Sequence, residues 1–309
     1  MSATYFIAGD WGTSNLRLYL CEFQPEHPVR LIETRFGPGI SEVQGDFEDK
    51  FFNLAHDWIE QHGKMPVVLS GMVGSNIGWK EAPYLNCPVT AEDIAAGRIS
   101  FEARGLEILI LAGLRTENPL GLPDVMRGEE LQMLGWLRNN EHREHDHRLF
   151  ALPGTHNKWA FIDGDLLHTF LTAFTGELFA LLRKNSILIR DDSAISFNQQ
   201  TFLEGVDAVR NLGNAHLLHS LFSVRSKQVV GEMAAVDGLS YLSGQIIAAD
   251  IIGALSLYQD AKRITVIGEP TLTDQYQIVF MQFGHEVTCC DPEEIAVSGF
   301  EAIYRAIYQ

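Results

Sequence analysis

FIAGDWGTSNLRLYL (Phe6 to Leu20) and RLFALPGTHNKWAFI (Arg148 to Ile162) are two versions of one pattern. In each, an apolar run stops at a glycine-containing polar turn and an apolar alternation resumes beyond it. That is the signature of two strands joined by a tight turn. At an offset of 142 residues Gly12 meets Gly154, Thr13 meets Thr155 and Asn15 meets Asn157. An internal repeat of this kind predicts two similar domains, over residues 1–147 and 148–309. The decisive difference is Asp10, whose counterpart is Leu152. Only one turn keeps a carboxylate, so the two are expected to do different work around a shared ligand.

The segments around the repeat read as α/β. Asp46 to His62 has helical apolar spacing through Phe47, Phe51, Leu54 and Trp58, and Met65 to Leu69 and Ile108 to Leu111 are compact apolar strands. Gly128 to Arg138 reads as a helix with Leu131, Leu134 and Leu137 on one face. Arg263 to Ile267 is a strand followed by a glycine turn at Gly268-Glu269 and a helical stretch, a place where backbone can approach a nucleotide closely. Leu239 to Leu257 carries Gly244, Ala248, Ala249, Gly253 and Ala254 at helical intervals, for close helix packing in a core or at a hinge. The segment NNEHREHDHR (Asn139 to Arg148) offers His142, His145 and His147 as metal ligands. With no cysteine or apolar shell beside them, a solvated domain junction is the better reading.

Composition narrows the function. The chain is 46% hydrophobic and 20% charged, which excludes a disordered protein. Lys and Arg number 23 against 40 Asp and Glu, a net charge of −17 that repels a phosphate backbone or an anionic leaflet. No nucleic-acid or membrane partner is expected. Cys21, Cys87, Cys289 and Cys290 have neither zinc-site spacing nor the density of a disulfide framework. The N-terminus lacks the pattern of a signal peptide, and Tyr241 to Tyr258, with Gln245 and Asp250, reads as a buried helix. A cytoplasmic setting is expected.

A Gly-Thr hairpin turn can hold phosphate oxygens with consecutive backbone N–H groups and the Thr hydroxyl. Gly12, Thr13, Ser14 and Asn15 offer this once, Gly154 and Thr155 again. A bare carboxylate beside phosphates is repulsive, so Asp10 fits only with a cation between. Mg²⁺, which takes one or two carboxylates plus water and phosphates, suits it. Taken singly, either turn is equally an ordinary hairpin using Gly and Asp for local geometry. The repetition with one asymmetric Asp favours nucleotide binding.

The motifs GDWGTSNLR (Gly9 to Arg17), SGMVGSNIGWKEAPY (Ser70 to Tyr84), MRGEE (Met126 to Glu130), LPGTHNKW (Leu152 to Trp159) and TGEL (Thr175 to Leu178) together resemble the 2-dehydro-3-deoxygalactonokinase family. That family sits within the superfamily of acetate and sugar kinases, heat-shock ATPases and actin. The resemblance runs over essentially the whole chain, strongest from Ser70 to Leu178. It implies two ribonuclease H-like domains of the actin-like ATPase fold, with Mg-ATP in an interdomain cleft that closes to exclude water. It also implies phosphorylation of the 6-hydroxyl of 2-dehydro-3-deoxy-D-galactonate in galactonate catabolism.

On that basis Asp10 is expected to hold Mg²⁺ through water. Gly154, Thr155 and His156 would meet the β- and γ-phosphates, with Lys158 adding a cation; His156 reads equally as a hydrogen bonder of the turn. Thr175, Gly176 and Glu177 open a helix placed for a nucleotide or Mg²⁺ contact, and Gly268 and Glu269 take the adenosine side. Ser70, Met72, Ser75, Asn76, Trp79 and Tyr84 would supply the short hydrogen bonds and aromatic wall of a sugar site, with Lys80 or Arg17 for the carboxylate. Many sugar kinases of the superfamily place an aspartate base at a helix start where this chain has Gly128. Glu129, ahead of Glu130, is therefore the expected base, and Arg127 a clamp on the phosphoryl group or the sugar carboxylate. Three other readings stay open: a kinase for another 2-keto-3-deoxy sugar acid, a polyphosphate or nucleotide hydrolase, and an ATP-dependent sugar sensor. A homodimer is compatible with the sequence.

Overall fold

The computed structural model describes residues 4–43, 45–142, 147–189, 196–212 and 216–309. The chain forms two compact units, one of Met1–His145, Ile162–Thr169 and Pro292–Gln309, the other of Asp146–Phe161 and Phe170–Asp291. The first break falls close to the expected 147/148 junction. The last segment, expected in the second domain, packs instead with the first unit.

The strands of the first unit are β1 (Thr4–Trp11), β2 (Asn15–Gln24), β3 (His27–Pro38), β4 (Val67–Ser70), β5 (Tyr84–Asn86), β6 (Ile99–Ala103), β7 (Leu106–Ile110), β8 (Gly113–Glu117) and β9 (Pro123–Met126). Its helices include α1 (Ile40–Val43), α2 (Phe47–His62), α3 (Ala91–Ala96) and α4 (Glu129–Asn139). The main sheet runs β3-β2-β1-β4-β7-β6, and β5-β8-β9 form a small second sheet. β1 and β2 are antiparallel, with Asp10 opposite Arg17. β1 pairs in parallel with β4, which sets Asp10 opposite Ser70. The period-two alternation of β1 and β2 buries Ile7, Leu16, Leu18 and Leu20 on Phe47, Phe51 and Trp58 of the amphipathic α2.

A second large sheet is built on β10 (His147–Leu152), β11 (Asn157–Asp163), β12 (Leu166–Ala173), β13 (Arg263–Ile267) and β14 (Val287–Cys290), in the order β12-β11-β10-β13-β14. This reproduces the β3-β2-β1-β4-β7 order of the first sheet, so the hairpin repeat is the visible end of a duplicated five-strand unit. Around it stand α5 (Thr175–Asn185), α6 (Gln199–Leu212), α7 (Leu217–Leu221), α8 (Ser223–Val229), α9 (Gly238–Leu257) and α10 (Pro270–Gln282). The core packs Leu149, Ala151 and Trp159 against Phe202, Val206, Ile247, Ile251, Tyr276 and Phe280. Helix α9 is long and apolar enough to cross a membrane by length and composition, but 61% of that stretch is buried within the protein.

The glycines of α9 act in helix packing. A Cβ on Gly244 would collide with the carbonyl oxygen of Phe202, and one on Gly205 in α6 with that of Tyr241. The first unit repeats the device between α4 and the closing helix α11 (Pro292–Tyr308): Gly135 lies against the Ile295 carbonyl and Gly299 against that of Leu131. Each unit thus contains a helix pair in reciprocal backbone contact through glycine.

Candidate active site

In the first unit the end of β1, the end of β4 and the start of α4 bring a set of acidic and small residues together. Gly71 has φ 91° and Gly128 φ 111°, conformations that side-chain-bearing residues rarely adopt. A Cβ on Gly71 would lie 3.1 Å from Asp10 Oδ1, and one on Gly128 4.0 Å from it. The two glycines therefore leave open the space around the Asp10 carboxylate. Burial pushes the Asp10 carboxyl up to about 6; Arg17 opposes this and Glu129 adds to it. Arg17 itself pairs with Glu293 at 3.5 Å.

The two glutamates at the start of α4 have different surroundings. Glu130 is fully buried, its Oε1 accepting from Ser70 Oγ at 3.0 Å and its Oε2 from the Gly128 N–H at 2.6 Å. Burial, with the nearby Glu129 charge, pushes its carboxyl up to about 7. Glu130 thus fastens the helix start to β4. Glu129 is half-buried, and its Oε2 accepts from the Arg127 N–H at 3.2 Å.

The Ser70–Tyr84 loop is more tightly packed than a sugar site built from all its polar and aromatic residues would require. Ser70 is spent on Glu130, and buried Ser75 donates to the Met72 carbonyl at 2.7 Å. Met72 packs on the core. The Trp79 ring, expected as an exposed wall, lies among Trp11, Phe51 and Phe101, because it continues the apolar face under α2. Asn76, Lys80 and Tyr84 keep exposure; the Lys80 ammonium sits 4.5 Å above Phe101. Arg127 also departs from expectation. It is buried, donates to the Leu111 carbonyl at 3.3 Å and the Ala82 carbonyl at 2.9 Å, and stacks on Tyr84 at 4.4 Å. Its guanidinium braces the base of the loop and is not free to clamp a ligand.

The first turn, Gly12 to Asn15, is closed by the Gly12 N–H donating to Asn15 O at 2.9 Å. Ile40 and Ser41 bond back to the Gly12 and Thr13 carbonyls, which leaves Thr13, Ser14 and Asn15 exposed.

In the second unit a cavity of about 550 Å³ opens beside the other turn. Gly154, Thr155, Thr175 and Gly176 form one wall, and Leu239, Ile246, Ile247, Leu272 and Tyr276 give the cavity much of its apolar lining. Gly176 permits this junction, since a Cβ there would collide with the Gly154 carbonyl. The Glu177 N–H donates to the Thr155 carbonyl at 2.8 Å, and the His156 ring, stacked on Phe174, bonds Glu177 at 2.5 Å. Gly268 lies beside Pro153 at the same turn. Glu269 caps α10, its carboxylate taking the Thr271 and Leu272 N–H groups, and those bonds hold its carboxyl below the usual range. Lys158, expected near the phosphates, is buried, with Nζ donating to Thr172 Oγ1 at 2.7 Å: strand alternation turns it off the lip of the turn.

Sequence reading passed over Asp250. From the middle of α9 its carboxylate accepts from Asn157 Nδ2 at 2.7 Å, Trp159 Nε1 at 2.7 Å, Thr175 Oγ1 at 2.8 Å and Tyr276 Oη at 2.6 Å. A single charged residue inside an apolar helix is the available signal. Among the described residues no group of three or more His, Cys, Asp or Glu could hold a metal ion, and His145 lies outside the described residues.

Two units of one strand order, each with its hairpin turn at the strand ends, place the chain in the actin-like ATPase fold, and the comparisons with known proteins narrow this. The sequence model of the 2-keto-3-deoxy-galactonokinase family matches residues 10–303. A relative from Escherichia coli (strain K12) named 2-dehydro-3-deoxygalactonokinase is 32% identical over 308 residues, covering 99% of each chain. A relative from Rhizobium meliloti (strain 1021) under the same enzyme name is 31% identical over 310 residues, again 99% of each. A Sinorhizobium meliloti protein whose crystal structure carries that name superposes with a TM-score of 0.86 at 30% identity, covering 98% of this chain and 99% of the other. The chain belongs to the 2-keto-3-deoxy-galactonokinase family. It is a kinase, and its family uses ATP.

Proposed function

We propose that this chain transfers the γ-phosphoryl group of ATP to the 6-hydroxyl of 2-dehydro-3-deoxy-D-galactonate, giving 2-dehydro-3-deoxy-6-phospho-D-galactonate and ADP in galactonate catabolism. The observation that carries this reading is the meeting of Asp10, Gly71, Gly128 and Glu129 in the first unit of a chain that matches this family along its length.

Asp10 fits Mg²⁺. It is a hard oxygen donor with two glycines beside it that leave room for an ion completed by phosphate and water. When bound, Mg²⁺ neutralises phosphate charge. The protein's own part is alignment. Thr13 and Ser14 in one turn, and Gly154 and Thr155 in the other, offer backbone N–H groups to phosphate oxygens. His156, braced by Glu177, stands at the second turn. The apolar cavity between α9 and α10 receives the adenosine, beside the Gly268 turn. On the acceptor side Glu129 takes the hydroxyl proton, Glu130 fixes the helix that carries it, and Asn76, Lys80, Arg17 and Tyr84 bind the sugar acid.

Turnover of a panel of sugars and 2-keto-3-deoxy sugar acids with ATP tests the proposal. Selective use of 2-dehydro-3-deoxy-D-galactonate is expected; equal or better use of the 2-keto-3-deoxygluconate epimer would move the substrate assignment, and turnover of none would overturn it. A pH dependence follows from Asp10. Its folded-state pKa is raised to about 6, so the ionised form that holds a cation is lost as pH falls through that value. At Mg²⁺ held well below saturation, so that cation does not outcompete the proton, kcat/KM should drop about tenfold per pH unit below about 6. A profile level down to pH 5 would remove Asp10 from the metal role.

A further inference from the structure

We propose that Asp250 is a positioning residue of the nucleotide site, holding the second Gly-Thr turn, the start of α5 and the middle of α10 in the arrangement that receives the phosphate end of ATP. This rests on the reading of the cavity beside that turn as the ATP site.

Asp250 lies on α9, and its four donors come from three other elements: Asn157 and Trp159 from β11, Thr175 from α5 and Tyr276 from α10. Three of the four border the cavity or its turn. Thr175 and Tyr276 line it, and Asn157 follows directly on Gly154-Thr155-His156. The Asn157, Thr175 and Tyr276 bonds all converge on Oδ2, while Trp159 alone takes Oδ1. An ionised carboxylate only accepts, so it can receive four donors where an amide of the same shape must turn a donor toward one of them. Burial pushes the Asp250 carboxyl up and the four hydrogen bonds oppose this. Tyr276 also donates no bond elsewhere in this set, whereas Asn157 Nδ2 reaches both Asp250 and the Tyr276 oxygen at 3.2 Å, so the three groups lock one another. With its hydroxyl committed to Asp250, Thr175 contributes to a nucleotide through the orientation of its helix start, and the neighbouring Gly176 backbone rests on Gly154. The carboxylate therefore sets the geometry of the phosphate turn without being one of its walls.

The test compares loss of the whole carboxylate with loss of its Oδ1 donor alone. Asp250→Ala, which removes the acceptor of all three Oδ2 donors, should weaken ADP binding, measured by calorimetry on the full chain, at least tenfold. It should raise KM for ATP by a similar factor and leave KM for the sugar acid within twofold. Trp159→Phe removes only the Oδ1 donor, inside the core, and should lower the unfolding midpoint while ADP affinity stays within twofold. If both variants lower the midpoint and ADP affinity is unchanged in both, Asp250 is a core residue and the proposal falls. Should Asp250→Ala fail to fold, Tyr276→Phe keeps the carboxylate and loses one Oδ2 donor: ADP binding weakened threefold or more supports the proposal, and unchanged affinity overturns it. A wild-type protein that binds ADP but phosphorylates no sugar acid would sink the proposed reaction and leave this inference standing. One that binds no ADP would sink both.

Discussion

Replacement of Asp10 by alanine is expected to lower kcat by at least about a thousandfold, the scale of losing a cation's hold on a transferring phosphoryl group. The fold should survive. At neutral pH the ionised Asp10 destabilises the folded chain: its pKa of about 6 stands above the ordinary 3.8, so the folded state favours the protonated form. That difference corresponds to about 3 kcal/mol. The isosteric Asp10→Asn should therefore match or exceed the wild type in thermal midpoint at pH 8, with the advantage vanishing near pH 4. Activity within a few-fold of wild type in either variant would show that the first turn needs no carboxylate. A large loss of stability would show that Asp10 is structural.

The second large effect falls on the fold. Gly205→Val would drive its side chain into the Tyr241 carbonyl, on a helix whose own Gly244 is pressed against the Phe202 carbonyl. Neither contact is with a flexible side-chain end, so the α6–α9 pair must separate, opening the core around Phe202, Val206 and Ile247. A destabilisation of roughly 4 kcal/mol or more is expected, above ordinary overpacking because backbone is displaced. Glu204→Ala, on the exposed side of the same helix, should stay within about 0.5 kcal/mol of wild type. Urea unfolding of the two variants side by side decides it; a Gly205→Val midpoint close to that of Glu204→Ala would mean that the helices can shift cheaply.

Much of the architecture was legible because it is written in local periodicity. Two-residue alternation on both sides of a glycine turn located β1, β2, β10 and β11, and the apolar run Arg263–Ile267 coincides with β13. Gly154 and Gly176, both in motifs visible in sequence, line one cavity, and Gly268 lies beside Pro153. What escaped was long-range. Nothing near Trp79 says that Trp11 and Phe51 will enclose it, and Arg127 looks like a site cation until the Leu111 and Ala82 carbonyls are in place. Lys158 was misplaced because a strand residue next to a turn points to one face or the other by parity alone. Asp250 was passed over because its four partners are scattered between residues 157 and 276. The sheet β5-β8-β9 has strands too short for pattern to reveal.

Helix α11 belongs to the first unit, although nearly the whole of the second is encoded between them. There Gly299 meets Leu131 of α4, Tyr304 stacks on Phe6 of β1, and Glu301 binds Arg138 at 2.9 Å and the Val29 N–H at 2.9 Å. On the ribosome, then, the first-made half waits: β1 and α4 stay uncovered on the side that α11 fills until the stretch that encodes α11 has left the exit tunnel. The half made second has its own strands and helices in hand before the half made first is sealed, so order of synthesis and order of completion are reversed.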